Sequence, residues 1–169
     1  MNTLIKQIAV FFTLLLFQVL VLNNVNIGGY INPYVYPLFI LLLPFDVKGW
    51  VMLLLAFFLG FFVDVFNATP GLHSFSLVLM AAIRPTVISL ISQKAQDEGK
   101  YPGLKQKDFS WMLIYMGICV FIHHFFYFII ESWSWNLLGQ TFLRFLASAF
   151  MSIFIMVILL FAFKSSNKK

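Results

Sequence analysis

Asp64, Arg84, His123, His124, Glu131 and Arg144 sit within or at the edges of long apolar runs, and with His73 they bound the chemistry open to this sequence. If those runs cross a bilayer, a charge at mid-depth costs about 2.5–3.5 kcal/mol on an insertion scale, so each charge needs a partner or a purpose. Asp64, Glu131 and Arg144 fall near the same interface by depth and are expected to form structural ion pairs. Arg84 lies deeper, near the middle of its run, where its stem could snorkel part of the way to the opposite face. An ion or proton pathway wants ionisable groups spaced through the whole depth. Here the other half of the runs offers only the loop-edge residues Asp46 and Asp108. His123 and His124 are adjacent, so they point about 100° apart on a helix, one toward the bundle and the other toward lipid or a neighbour. A metal site would need more ligands than His73 can add, and none is expected. Ser74, Ser76 and Ser89 lack a nearby base, and no G-x-S-x-G, H-E-x-x-H or P-loop pattern occurs. The sequence therefore predicts no enzyme and no cofactor.

The elements that must position these residues are apolar helices. Apolar residues make up 62% of the 169 positions and charged residues only 10%. A chain of this size cannot hide that much apolar surface in its own core. The 22 phenylalanines fit a lipid-facing surface. Cys119 is the only cysteine, which excludes an intrachain disulfide or a cysteine metal cluster. The net charge of +5 is carried at the ends of apolar runs, where lysines orient helices in a bilayer, and nucleic-acid binding is not expected. The first run resembles a signal peptide but continues into Asn23 and Asn24 with no small-x-small cleavage site, so an uncleaved span is expected.

About 20 helical residues cross the hydrocarbon core. The pattern predicts an all-α, polytopic membrane bundle of about six transmembrane helices, near 4–22, 30–45, 47–66, 72–92, 109–130 and 139–163. The chain forms one membrane domain. A Gly-containing loop with Gly28 and Gly29 follows the first span, a tight NATPG turn (67–71) joins the third and fourth, and 93–108 is the one hydrophilic loop. The second segment is the doubtful one. Pro33, Pro37 and Pro44 punctuate it, and as a helix it would reach only about 25 Å. A re-entrant hairpin is the alternative. If it crosses, all nine lysines lie on one side, and the positive-inside rule makes that side and both termini cytoplasmic. If it does not, the asymmetry collapses. Trp50, Trp111, Trp133 and Trp135 then all fall at interfaces, as amphipathic rings prefer.

Ala56 and Gly60 on the third span, and Ser148 and Ser152 on the sixth, are four apart, a spacing that lets helix backbones approach closely. Asp64 sits one turn after Gly60, near the end of its span, and Gly71 opens the next. A carboxylate at Asp64 can accept hydrogen bonds from unpaired amides at the start of the fourth span, where negative charge is favoured. Asp64 is therefore expected to lock the hairpin formed by the third and fourth spans.

The run Gly60–Asp64, the short turn, then Gly71 and an apolar helix to Ala82 resembles the pattern of the MreD family of bacterial rod shape-determining membrane proteins. Length, early uncleaved span and lack of an extramembrane domain resemble that family too. The resemblance implies a non-enzymatic scaffold of the cell-elongation and peptidoglycan-building machinery, in the bacterial cytoplasmic membrane. The partners it implies are an MreC-like scaffold and the RodA–class B penicillin-binding protein pair. It also implies a fold similar to the substrate-binding S components of vitamin transporters. Gly60, Asp64 and Gly71 match the pattern, whereas His73, Arg84 and Arg144 are polar residues of this sequence outside it. A second reading is an S-component-like subunit for a small molecule, in which Asp64, His73, His123 and Arg144 would converge on an outward-facing cavity.

Overall fold

Within lipid a backbone must satisfy its own hydrogen bonds, and the leucine-, isoleucine- and phenylalanine-rich runs do so by becoming helices. The computed structural model describes residues 3–25, 31–91, 102, 108–132 and 138–166. The long helices are α1 (Thr3–Leu20), α3 (Gly49–Asn67), α4 (Leu72–Ile91), α5 (Phe109–Ser132) and α6 (Leu138–Ser166), and a 3-10 turn at Leu22–Asn24 ends the first. Five stretches are long and apolar enough to cross a membrane, and the chain is a multi-pass all-α membrane protein. α3 packs on α4, α4 on α5 and α5 on α6, with α1 against α3. Phe57, Phe58, Phe61 and Phe66 on α3, and Phe150 and Phe154 on α6, are exposed on the outside of the bundle, as lipid-facing rings should be.

The second segment departs from expectation. Its only helix is α2 (Leu38–Leu41), one turn long. Yet the segment crosses the bundle. Asn23, before it, bonds to Asn67 at the last residue of α3. Lys48, after it, immediately precedes the first turn of α3 at the other end, and its carbonyl accepts from Met52 N–H. The ring of Phe45 meets Trp111 in the first turn of α5, and Phe109 meets Phe161 late in α6. The chain therefore enters at the Asn67 end and leaves at the Lys48 end. The length objection assumed a helical rise of 1.5 Å per residue. Extended backbone advances more than twice as far per residue, so the same few residues suffice. Three prolines prevent a continuous helix, because each removes an amide donor and disfavours helical backbone before it.

This segment is the core. Val35, Tyr36, Leu38, Ile40 and Leu41 are fully buried, and Phe39 meets Phe11 of α1 edge to face at 5.2 Å. Non-helical backbone survives at membrane depth only where protein groups satisfy it. At one end Ser148 and Ser152 of α6 accept from the amides of Asn32 (3.0 Å) and Tyr34 (2.8 Å). Gln18 of α1 accepts from Val35 N–H at 2.8 Å and donates to the Pro33 carbonyl at 3.1 Å. Farther along, Tyr115 of α5 donates to the Leu41 carbonyl at 3.1 Å, and Arg84 of α4 donates to the Leu43 carbonyl. The two serines thus bind the crossing segment, and Ser152 also meets His124 of α5. Gly28, Gly29, Trp133, Trp135 and almost all of the 93–108 loop lie outside the described residues, with most of the lysines.

Single cysteines at Asn24 and Lys48, both exposed, test the crossing in a Cys119→Ser background. A membrane-impermeant maleimide should label them from opposite sides of the bilayer. Labelling of both from one side would mean that the segment turns back.

Candidate functional site

Three groups of polar residues lie inside the bundle, and each has a different reason to be there. The first holds the α3–α4 hairpin. Ala68 ends α3 in the left-handed region (φ 54°), and Gly71 takes φ +82°, a value open to glycine at little cost. With Gly71 just before Leu72, the residue that would normally cap α4 has no side chain. Asp64 supplies the cap from across the turn. Its carboxylate accepts from the amides of His73 and Ser74, both at 2.9 Å, from Ser74 Oγ at 2.6 Å and from Thr69 Oγ1 at 3.0 Å. Four neutral donors and the positive end of the α4 dipole balance its charge.

Gly60 lets this happen. A Cβ there would stand 2.5 Å from Ser74 Cα and 2.8 Å from the His73 carbonyl oxygen, both backbone atoms that cannot step aside. The close approach brings the α4 N-terminus within reach of Asp64. Asp64 forms no ion pair with Arg144, contrary to the expectation from depth. Arg144 instead pairs with Glu131 at 3.3 Å, both about a quarter exposed, and lies over the Phe128 ring.

The second group braces the crossing segment, and Arg84 dominates it. It is 2% exposed, so it does not snorkel. Its guanidinium donates to Tyr115 Oη at 2.7 Å and to the Leu43 carbonyl, with Pro44 O and Met52 Sδ at 3.5 Å. The physical reason is local. The proline-interrupted backbone presents carbonyls with no helical partner, and a five-donor fork meets several at once. Gln18, Tyr115, Ser148 and Ser152 complete this group.

The third group was not foreseen as a unit. Tyr36 Oη lies 2.9 Å from His73 Nδ1 and 2.6 Å from His123 Nε2, joining α4 to α5 through the crossing segment. Asn67 Nδ2 lies 3.1 Å from His73 Nε2, and Asn23 donates to Asn67 while accepting from Gln18 at 2.9 Å. One assignment of protons, inferred from the network, satisfies the line from Asn67 to His123. Asn67 donates to His73 Nε2, His73 Nδ1–H donates to Tyr36, and Tyr36 donates to His123. His123 and His124 are both fully buried, so neither faces lipid. His124 instead contacts the Val120 carbonyl at 2.9 Å and Ser152 Oγ at 3.0 Å.

Of the residues singled out from the sequence, Gly60, Asp64, Gly71 and His73 come together at one hairpin, and His73 extends toward His123. Arg84 lies deeper, toward the Lys48 end, and Arg144 stands apart with Glu131. Gln18, Asn23, Tyr36, Asn67 and Tyr115 were missed. Gln18 carried a signal, as an uncharged polar residue deep in the first apolar run. The asparagines read only as turn residues. Among the described residues no three His, Cys, Asp or Glu side chains gather as a metal site.

Two depressions mark the Asn67 end. An open cleft of about 200 Å³ is lined by Asn23, Asn32, Tyr34, Asn67, Thr69 and Tyr127. A shallower groove of about 590 Å³ runs along the α3–α4 hairpin between Phe57, Phe61, Val65 and Pro70, with Asp64 and Ser74 at its floor. Comparison with protein-family models, curated proteins and solved structures finds no match.

Asp64→Asn keeps the side-chain size but turns an N–H toward donors. It should destabilise the bundle by about 2 kcal/mol in reversible detergent unfolding, because a buried donor then faces a donor. Gly60→Ala should lower the unfolding midpoint as well, by forcing α3 from α4. Wild-type stability in both variants would contradict the capping geometry.

Proposed function

We propose that this chain is a non-enzymatic membrane scaffold of the bacterial cell-elongation machinery, of the kind that MreD proteins provide. In this reading it recognises the membrane helix of an MreC-like scaffold and works beside the RodA–class B penicillin-binding protein pair. The reading rests on the resemblance at Gly60, Asp64 and Gly71, and one observation carries it. The three positions act together: Gly60 removes the obstacle, Asp64 caps α4, and Gly71 supplies the turn. The hairpin they fix presents the apolar groove beside Phe57, Phe61 and Val65. A rigid apolar groove on a lipid-facing surface suits another apolar helix, since packing rather than water exclusion drives association in lipid.

The orientation follows from charge. Lys6 lies toward the start of α1 and Lys48 before α3, and the lysine-bearing 93–108 stretch connects α4 to α5. Six crossings put all of these at the Lys48 end, so the positive-inside rule makes that end cytoplasmic, with both termini. The polar cleft at the Asn67 end favours the second reading, an S-component-like transport subunit. Of the four residues expected to converge there, Arg144 pairs elsewhere with Glu131, and Asp64 is occupied in capping α4.

Val65→Trp fills the groove from a lipid-exposed position and should leave folding intact. Co-purification with the MreC-like partner should fall at least about tenfold, equivalent to about 1.4 kcal/mol, while Phe154→Ala on the far face of α6 leaves capture unchanged. Depletion of the chain in a rod-shaped host should round the cells. Full capture by Val65→Trp, or vitamin auxotrophy with unchanged shape on depletion, would overturn the scaffold reading.

A further inference from the structure

The polar residues of the bundle divide by what would be orphaned if they were removed. Gln18, Arg84, Tyr115, Ser148 and Ser152 satisfy backbone groups of the crossing segment, so the fold itself requires them. Asn67, His73, Tyr36 and His123 contribute side-chain bonds only to one another, to Asn23 and to the His124 ring, and none to backbone. Replacing that whole set with apolar side chains of similar shape would leave no backbone group unpaired, and such replacements are commonly neutral or stabilising. Packing and backbone satisfaction therefore do not account for it. Buried polar side chains at membrane depth mark functional sites by default.

The set begins at an opening. Asn67 forms both its first link and part of the lining of the 200 Å³ cleft. Three carboxamides line that cleft, from Asn23, Asn32 and Asn67, with hydroxyls from Thr69, Tyr34 and Tyr127. Among the described residues no charged side chain lines it. Within the described network, Asn67 uses one N–H toward His73 and one lone pair toward Asn23, so a second donor and a second acceptor site remain. A carboxamide with one of each matches a hydroxyl or an acetamide, which both donate and accept. The Tyr34 and Tyr127 rings, 5.0 Å apart and steeply inclined, are themselves buried and close the inner side of the cleft. The cleft is smaller than drug-sized pockets, which run from about 300 Å³.

We propose that the cleft between Asn23, Asn32, Asn67 and Tyr127 binds a single uncharged sugar-like group, rich in hydroxyl or acetamide functions. Such a group arrives either as a free sugar or as the headgroup of a glycolipid, because the cleft opens at the end of the helices. The hydrogen-bonded line from Asn67 through His73 and Tyr36 to His123 fixes the orientation of the Asn67 carboxamide. It also ties the cleft to α4, α5 and the crossing segment, so occupancy stiffens the joint between them. This site does not depend on the scaffold reading, since its lining shares only Thr69 with that of the apolar groove.

The test uses the full chain in nanodiscs free of sugar detergents, followed by thermal unfolding and saturation-transfer NMR. Free N-acetylglucosamine is one probe. Nanodiscs doped with monoglucosyl diacylglycerol are the other, and gluconate is the anionic control. The expected result is a saturable rise in Tm with at least one of the two sugar probes and none with gluconate. Asn32→Ala keeps the backbone amide that bonds Ser148 and should weaken binding about tenfold, as loss of one or two hydrogen bonds does. Asn67→Ala should abolish it. A response to free sugar alone identifies a soluble ligand, and a response to glycolipid alone a lipid headgroup. Either supports the site. No response to either probe, or a response equal to gluconate or unchanged in Asn32→Ala, overturns it. Capture of the MreC-like partner is unaffected by any of these outcomes.

Discussion

Backbone at membrane depth has no water to turn to, and one stretch of this chain crosses without a helix. From that constraint most of the interior follows. The amides and carbonyls that Pro33, Pro37 and Pro44 deny a helical partner meet either a short local turn or a side chain from a surrounding helix. Gln18 answers from α1, Arg84 from α4, Tyr115 from α5, and Ser148 and Ser152 from α6. Four of the five long helices are thus held around a common axis of polar contacts as well as by apolar packing. Arg84 illustrates the consequence. Its charge is stabilised by carbonyl dipoles and a phenol.

The α3–α4 hairpin solves a smaller version of the same problem. The first amides of a helix are unpaired, and Gly71 cannot cap them. Asp64 does so only because Gly60 allows α3 to touch the backbone of α4 at Ser74. Cap and close approach depend on each other. The result is a tightly joined two-helix unit that exposes phenylalanines along α3.

How much of this the sequence discloses depends on separation along the chain. Asp64 and Ser74 are ten residues apart, close enough for spacing and turn chemistry to suggest the cap. The five helical crossings are equally plain, since each is a run of about 20 apolar residues. Lysine placement implied that the proline-rich segment crosses, and the segment does run from the Asn67 end to the Lys48 end. Its form was hidden, because a crossing was measured with a helical rise. The partners of that segment were hidden for a different reason. Ser148 and Ser152 reach residues more than a hundred positions away, and a pair of serines four apart reads first as a helix contact. Adjacency left open whether the second of His123 and His124 faces lipid or a neighbour, and it meets Ser152 of α6, a choice that periodicity within one helix does not reveal. Asn23 and Asn67 were read as turns, and only the fold brings them to one cleft.

The central claim is that the crossing segment is held in non-helical form by side chains of the surrounding helices. Residue-resolved amide hydrogen exchange on the full chain in nanodiscs tests it most directly. The Tyr34 and Val35 amides, bonded to Ser152 and Gln18, should exchange as slowly as those at the centres of α4 and α5. Ser152→Ala should release Tyr34 more than Val35. Exchange of both amides at the rate of an open loop, or protection of Tyr34 indifferent to Ser152, would contradict the account.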